Sequence, residues 1–303
     1  MTRIEEEWKN LEKFNLEEGR KKDNEAKTKE EEQNIIAKKK DEEKKIKNLE
    51  GSVWTSLGLL YHNKGNLQKA EEFYLKSYKI YENLFGENHS HVATSYNNLG
   101  DLYNNMGNLP KAEEFHLKSL KIRQNLFGEN HSNVATSYNN LGGLYDNMGN
   151  LQKAEEFYLK SLKIRQNLFG ENNSNVATSY NNLGSLYDDM GNLPKAEEFY
   201  LKSLKIYENL FGENHSNVAT SYNNLGTLYC KIGNLSEAEE FYLKSLKTYE
   251  NILGENYLNV ANSYNNLGSL YRNMGNLQKA EEFVLKSLKI CQNLLSEEFN
   301  KKI

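Results

Sequence analysis

Proline is nearly missing from this chain, with two in 303 residues. Proline removes a backbone donor and collides with the preceding helical turn, so its scarcity suits a chain that is helical almost throughout. Cysteine is just as rare, with Cys230 and Cys291 the two present. Two thiols in so long a chain are no disulfide framework, and a reducing interior is the expected compartment. No run approaches the roughly 18 apolar residues of a membrane-spanning helix. The opening MTRIEEEWKN lacks the apolar core of a signal peptide. A soluble, cytoplasmic protein with no membrane partner is expected. Neither sign dominates the charge, with 38 Lys and Arg against 42 Asp and Glu and a formal net charge of −4, so no overall basic field argues for nucleic acid.

What is present in quantity is tyrosine and phenylalanine, 20 and 12, within a polar composition. An elongated, surface-rich architecture reconciles the two. A strict internal repeat supports it. The glycine of a Leu-Gly pair recurs at Gly58, Gly100, Gly142, Gly184, Gly226 and Gly268, in steps of 42 residues. ATSYNNLG begins at Ala93, Ala135, Ala177 and Ala219. Six units follow, at about 51–92, 93–134, 135–176, 177–218, 219–260 and 261–295, with a segment 1–50 before them and a tail 296–303.

The stretch Val92–Glu129 shows what one unit does. Tyr96, Leu99, Gly100 and Tyr103 fall at i, i+3, i+4 and i+7, the apolar stripe of an amphipathic helix. Met106-Gly107-Asn108 stops that helix. A second runs from about Leu109 to Leu126, with Ala112, Phe115, His116, Ser119, Leu120 and Ile122 on its buried side. Pro110 and Pro194 sit in its first turn, where a missing N–H costs little. Phe127-Gly128-Glu129-Asn130 closes the unit. Such a hairpin cannot bury its own apolar faces and becomes stable by stacking on neighbours.

These residues resemble the tetratricopeptide repeat family, whose pattern is met in the first copy by Trp54, Leu57, Gly58, Tyr61, Ala70, Tyr74 and Ser77. The usual unit has about 34 residues. A 42-residue unit with VA-x-SYNNLG-x-LY, GN-x-x-KAEEF and LKSLKI is most similar to the repeats of kinesin light chain. The resemblance implies an all-α fold, a right-handed superhelical solenoid of six hairpins. It also implies a non-catalytic scaffold that binds a partner protein or peptide in its concave groove. A cargo adaptor of a microtubule motor is the alternative. Serine at Ser119 and its equivalents replaces the family's common alanine, and the proline that usually follows the histidine is absent at His131-Ser132 and His215-Ser216.

Residues 1–50 alternate blocks such as EEE, KKK and DEEKK. Ile4, Trp8 and Leu11 begin a stripe that Asn15 and Glu18 break, so the sustained heptads of a coiled coil are missing. Two readings stand: a solvated, charge-laced helix with frayed ends, or a helix that caps the first repeat through Ile46, Leu49 and Val53.

The resemblance also places a ligand-binding side on the first helices. Its rows are Thr94, Asn97, Asp101 and Asn104, with Asn98 alongside. The Asn97 row continues as Asn139, Asn181, Asn223 and Asn265, and the Asn98 row as Asn140, Asn182, Asn224 and Asn266. Asparagine disfavours helix interiors, because its amide competes for backbone bonds. Repeating the pair five times therefore wants a reason. The amides either bond each other between repeats, fixing the stacking, or hold an extended peptide backbone. Selectivity is expected from rows that vary, with Asp146, Asp188 and Asp189 in mid-array and Lys231 and Arg272 later. A polar ligand with a basic stretch would meet the three aspartates.

Little else points to chemistry. The histidines His62, His89, His91, His116, His131 and His215 do not converge by spacing, and Asn173 or Tyr257 replaces them in other copies. Paired glutamates such as Glu113-Glu114 recur in every unit and read as a solvated face. No phosphate loop, nucleophile elbow or dinucleotide glycine pattern is present, so no enzyme, cofactor or metal is expected. The acid-leaning rows argue against RNA. Val284, Leu285, Leu288, Cys291 and Leu295 would lack a covering helix, which suggests self-association or a protein partner at that end.

Overall fold

The computed structural model describes residues 2–255 and 257–300, without the side chains of 2–8, 10–12, 14, 23–26, 31 and 297–300. The described residues form twelve helices and no strand: α1 (Thr2–Asn63), α2 (Leu67–Phe85), α3 (Ser90–Asn105), α4 (Leu109–Phe127), α5 (Ser132–Asn147), α6 (Leu151–Phe169), α7 (Ser174–Asp189), α8 (Leu193–Phe211), α9 (Ser216–Ile232), α10 (Leu235–Leu253), α11 (Leu258–Asn273) and α12 (Leu277–Asn300). They make six hairpins. The chain divides into two compact units, residues 1–102 and 103–303.

In the first unit, α1 runs unbroken for 62 residues, through position 50 and into the first hairpin. Its described side chains before residue 48 are exposed, Ile35, Ile36 and Ile46 included. The charged segment is a solvated helix there. The Ile4, Trp8 and Leu11 stripe lies outside the described side chains. From Gly51 onward α1 packs on α2, where Ala70, Tyr74 and Ser77 are almost wholly buried.

Helix ends follow from two short signals. In the Gly-Asn pair, Gly149 adopts φ 73°, which admits glycine and strains other residues. The chain then turns so that Asn150 N–H donates to Tyr145 O at 2.8 Å, a Schellman closure. The Asn150 side chain at once caps the next helix, accepting from Lys153 N–H at 3.3 Å. The same sequence recurs at Asn108, Asn192 and Asn276. At the other connectors the capping residue is His131, Asn173 or His215, each accepting from the N–H two residues on. Histidine and asparagine exchange freely because both place an acceptor at that reach. His131 and His215 also stack on Phe127 and Phe211, with ring centroids 4.4 and 4.1 Å apart.

Within a hairpin the two helices touch at the glycine. A Cβ on Gly142, Gly184 or Gly226 would lie 2.6 Å from the Tyr158, Tyr200 or Tyr242 ring. Serine in place of the family's alanine has a reason. Ser161 and Ser203 donate across this close approach to Ala135 O and Ala177 O, both at 2.8 Å. Each hydroxyl is fully buried and satisfies a first-helix carbonyl.

The second unit repeats one seam between hairpins. The tyrosine of Leu-Tyr donates back to the first glutamate of the preceding AEEF: Tyr145 to Glu113, Tyr187 to Glu155, Tyr229 to Glu197 and Tyr271 to Glu239. Burial first, then the facing carboxylate, pushes the Tyr145, Tyr229 and Tyr271 hydroxyls up to about 12, so each keeps its proton. These glutamates are half-buried, not the solvated face expected of them. Their neighbours do stay outside: Glu114, Glu156, Glu198, Glu240 and Glu282 pair with a lysine four residues on, a contact of small value.

Two other expectations shift. Phe115 is half-buried, flanking Tyr103 with centroids 5.4 Å apart. Arg123, left outside by the sequence reading, is 8% exposed. Its guanidinium reaches the next helix, donating to Asn133 O at 3.2 Å and Ser137 Oγ at 2.7 Å. Arg165 repeats this with Asn175 O and Ser179 Oγ, and burial lowers its pKa.

Candidate functional site

The asparagine rows of the second unit sit on first helices and join them to one another. Asn182 Nδ2 donates to Asn139 Oδ1 at 2.9 Å, Asn224 to Asn181 at 2.9 Å and Asn266 to Asn223 at 2.7 Å. Each bond links α5 to α7, α7 to α9 or α9 to α11. The amide ladder, one of the two readings left open by the sequence, is thus present. It offsets the poor helix propensity of the pair by satisfying part of each half-buried amide.

The ladder engages one end of each amide. Asn181 and Asn223 accept through Oδ1, while Asn182 and Asn224 donate through Nδ2. The Nδ2 groups of Asn181 and Asn223 and the Oδ1 groups of Asn182 and Asn224 make no hydrogen bond among the described residues. A row of alternating donors and acceptors is left on this face, which is the chemistry an extended backbone requires. Asn140 holds the same place in α5. Asn265 is exposed and half a rung further on. A cavity of about 270 Å³ opens beside the last rung, lined by Asn223, Tyr249, Asn259, Asn262, Ser263 and Asn266.

In the first unit Asn97 is buried and donates to Asp101 at 2.9 Å, with Asn98 half-buried beside it. There the amide serves a local i,i+4 contact.

The charged candidates do not form one patch. Asp188 accepts from Lys231 Nζ of the following repeat at 2.6 Å, so the lysine offsets one of the three acids. Among the described residues Asp146 has no such cation. Its pKa is raised by burial and by the charge of Asp189. The ring between them feels both: the Tyr158 hydroxyl is pushed well up, by burial first and then by Asp146 and Asp189. Arg272 is exposed and apart, with no ion pair among the described residues. The Cys230 thiol is pushed up by burial, opposite to what a reactive thiolate needs. No cluster of three metal-ligating side chains occurs among the described residues, and no described helix is long and apolar enough to cross a membrane.

Sequence reasoning missed the polar seam residues, Glu113 and Arg123 above all. The signal was there. Glutamate and tyrosine recur 32 residues apart in every junction of the second unit, and Arg123 alternates with tyrosine at Tyr81, Tyr207 and Tyr249.

Comparison with known proteins fits this geometry. The tetratricopeptide repeat family model matches residues 49–108, 91–167, 147–209, 175–251 and 217–293. A search of curated protein sequences returned no match. Among solved structures, BtubC (BKLC) from P. vanneervenii is similar with a TM-score of 0.62 and 25% identity, over 83% of this chain and 92% of that one. A kinesin light chain-type protein of P. anserina with nearly identical repeats has a TM-score of 0.59 and 20% identity, over 68% of this chain and 98% of its own. A Rap protein complexed with Competence and Sporulation Factor has a TM-score of 0.57 and 16% identity, over 82% and 76%. Repeats of this fold generally form non-catalytic scaffolds for proteins and peptides. The chain belongs to the tetratricopeptide repeat family, in repeats of 42 residues.

Proposed function

We propose that the first-helix face of the second unit binds an extended, basic peptide segment of a partner protein. The half-used amides of the asparagine ladder carry this reading. Asn181, Asn182, Asn223 and Asn224 hold the peptide backbone, and Asp146 and Asp189 select lysine or arginine side chains. Asn139, Asn140, Asn265 and Asn266 extend the row, and Asp188 with Lys231 sets its polarity. In the first unit Asn97 and Asp101 bond each other, which leaves Asn98 in the equivalent place. Arg272 would exclude base beyond the last rung.

Replacing Asn139, Asn181 and Asn223 by alanine tests this poorly, since it removes the ladder acceptors and lowers stability whether or not peptide binds. Asp146→Asn is cleaner, because asparagine already occupies the equivalent place at Asn104. The raised pKa of Asp146 means that its charge opposes folding above that pKa. Neutralising it is therefore expected to stabilise the fold near pH 7 by less than about 1 kcal/mol after solvent screening, seen as a small rise in melting temperature. The same change combined with Asp189→Asn is expected to weaken basic peptides about five- to tenfold, the size of two partly exposed ion pairs. Fluorescence anisotropy with matched basic and acidic peptides reads the second effect and thermal melts the first. Tighter binding of the acidic series would overturn the charge assignment.

A cargo adaptor of a microtubule motor is the second reading, favoured by repeat length and the kinesin light chain likeness. The described part of α1 shows exposed Ile35, Ile36, Ile46 and Leu49 rather than a heptad seam. Absence of a motor heavy chain from purified complexes would remove it.

A further inference from the structure

Every seam of the second unit is built from the same halves, and two helices carry halves that are unmated. In the α10–α11 seam, Tyr271 donates to Glu239 and Tyr264 to Glu250 at 2.7 Å, while Leu246 and Leu270 are 7% and 1% exposed. On α12 the places of Glu239, Leu246 and Glu250 are held by Glu281, Leu288 and Gln292. Leu288 is 50% exposed, and Glu281 and Gln292 have no hydrogen bond among the described residues. On α1 the places of Tyr264, Leu270 and Tyr271 are held by Trp54, Leu60 and Tyr61. Leu60 is 46% exposed. One face offers a carboxylate and an amide, the other a hydroxyl and an indole N–H, in matching order; the indole N–H reaches only Glu50 of its own helix, at a long 3.4 Å.

A paired departure identifies the occupant. Arg123 and Ser137 face each other across the α4–α5 seam at 2.7 Å. At the Arg123 place the six copies read Tyr81, Arg123, Arg165, Tyr207, Tyr249 and Cys291. At the Ser137 place they read Val53, Ser95, Ser137, Ser179, Ser221 and Ser263. Val53 alone is apolar in its row, and Cys291 alone lacks a hydroxyl or guanidinium in its own. A buried arginine opposite Val53 would lose one of the two acceptors that Arg123 has, whereas Cys291 has no strong donor to satisfy there. Opposite one another they match.

We infer that the α12 face of one copy docks on the α1 face of a second copy, head to tail, continuing between molecules the seam that joins hairpins within one. Tyr61 then meets Glu281, Trp54 meets Gln292, and Leu288 packs beside Val53 and Leu60. This is a heterologous contact, with two different faces and one of each per chain. It does not depend on the peptide-binding reading, which concerns the first-helix rows.

Two charge-bearing variants test it. Leu288→Arg spoils the α12 face and Val53→Arg the α1 face, with Leu60→Arg as a second disruption of the latter. All three positions are half-exposed, and circular dichroism melts check folding. Sedimentation of the wild type is expected to show mass rising with concentration from 35.1 kDa to at least about twice that value. Each variant alone stays monomeric. An equimolar mixture of Leu288→Arg and Val53→Arg restores a dimer and nothing larger, because one good face of each kind remains. A wild type that is monomeric up to millimolar concentration overturns the inference. So does self-association of Val53→Arg and Leu60→Arg alone, which would mean α12 pairing with α12, or a mixture that stays monomeric.

Discussion

Acidification from pH 6.5 to about 4 is expected to remove about 3 kcal/mol of stability through one side chain, His116. This imidazole is 1% exposed, and its pKa is pushed down from 6.5 to about 4, by burial first and then by the Arg123 charge. The sign follows from which state takes the proton. Below pH 6.5 the unfolded chain protonates His116 and the native chain does not, so each pH unit costs about 1.4 kcal/mol. The loss levels off near pH 4, where the native state titrates as well. Above pH 6.5 His116 adds no pH dependence. The control is His116→Tyr, since the equivalent places hold Tyr158, Tyr200 and Tyr242, all buried. Denaturant melts across this window are expected to be flatter for the variant by about the same 3 kcal/mol. Identical slopes would show that His116 is not buried and neutral.

Gly184→Val is expected to cost about 3 kcal/mol, the upper end of overpacking penalties, and to lower the melting temperature by roughly 10 °C. Two effects oppose. Helix propensity alone favours a side chain over glycine, by about 1 kcal/mol for alanine and less for valine. Against that, the new Cβ would sit 2.6 Å from Tyr200 Cδ1, and the ring is 5% exposed with no room to retreat. Sterics win. The neighbouring substitution Gly143→Ser separates the two effects. A Cβ there meets Tyr158 Oη alone, at 3.3 Å, and other copies hold Ser185, Thr227 and Ser269 at that place. It is expected to be neutral or mildly stabilising. Equal destabilisation by both changes would mean that the hairpin is not closed on this glycine.

The contrast between these glycines marks how far the sequence could be read. Gly184 stands in a row that never varies among the six copies, whereas Gly143 stands in one that holds five different residue types. Internal repetition therefore separated a packing constraint from a tolerant surface with one chain alone. The same repetition exposed the hairpins, their ends and the asparagine pairs. It failed where a residue's partner lay in another repeat. Glu113 and Glu114 are the same letter side by side, yet one is half-buried under Tyr145 and the other pairs with Lys118 in solvent. Composition does not distinguish them; the 32-residue spacing to tyrosine does. Arg123 misled for a related reason, since a basic residue is rarely buried unless paired and its partners lie ten and fourteen residues on, on the first helix of the next hairpin. At the candidate site, the asparagines were legible as unusual, but the ladder rests on distances between repeats that no single sequence displays. One end of Asn181, Asn182, Asn223 and Asn224 is bonded within it, and the other makes no hydrogen bond among the described residues.

Because each junction of the second unit is made from the same letters, a whole 42-residue cassette can be lost or gained without new surface having to be invented. Were residues 177–218 excised, Gln166 would find Tyr222, Glu155 would find Tyr229, and Asn224 would reach Asn139, each residue type meeting the type it already meets. Length in this protein is thus a nearly free variable under recombination. Lineages should differ by integral numbers of cassettes far more readily than by the insertion of a single residue.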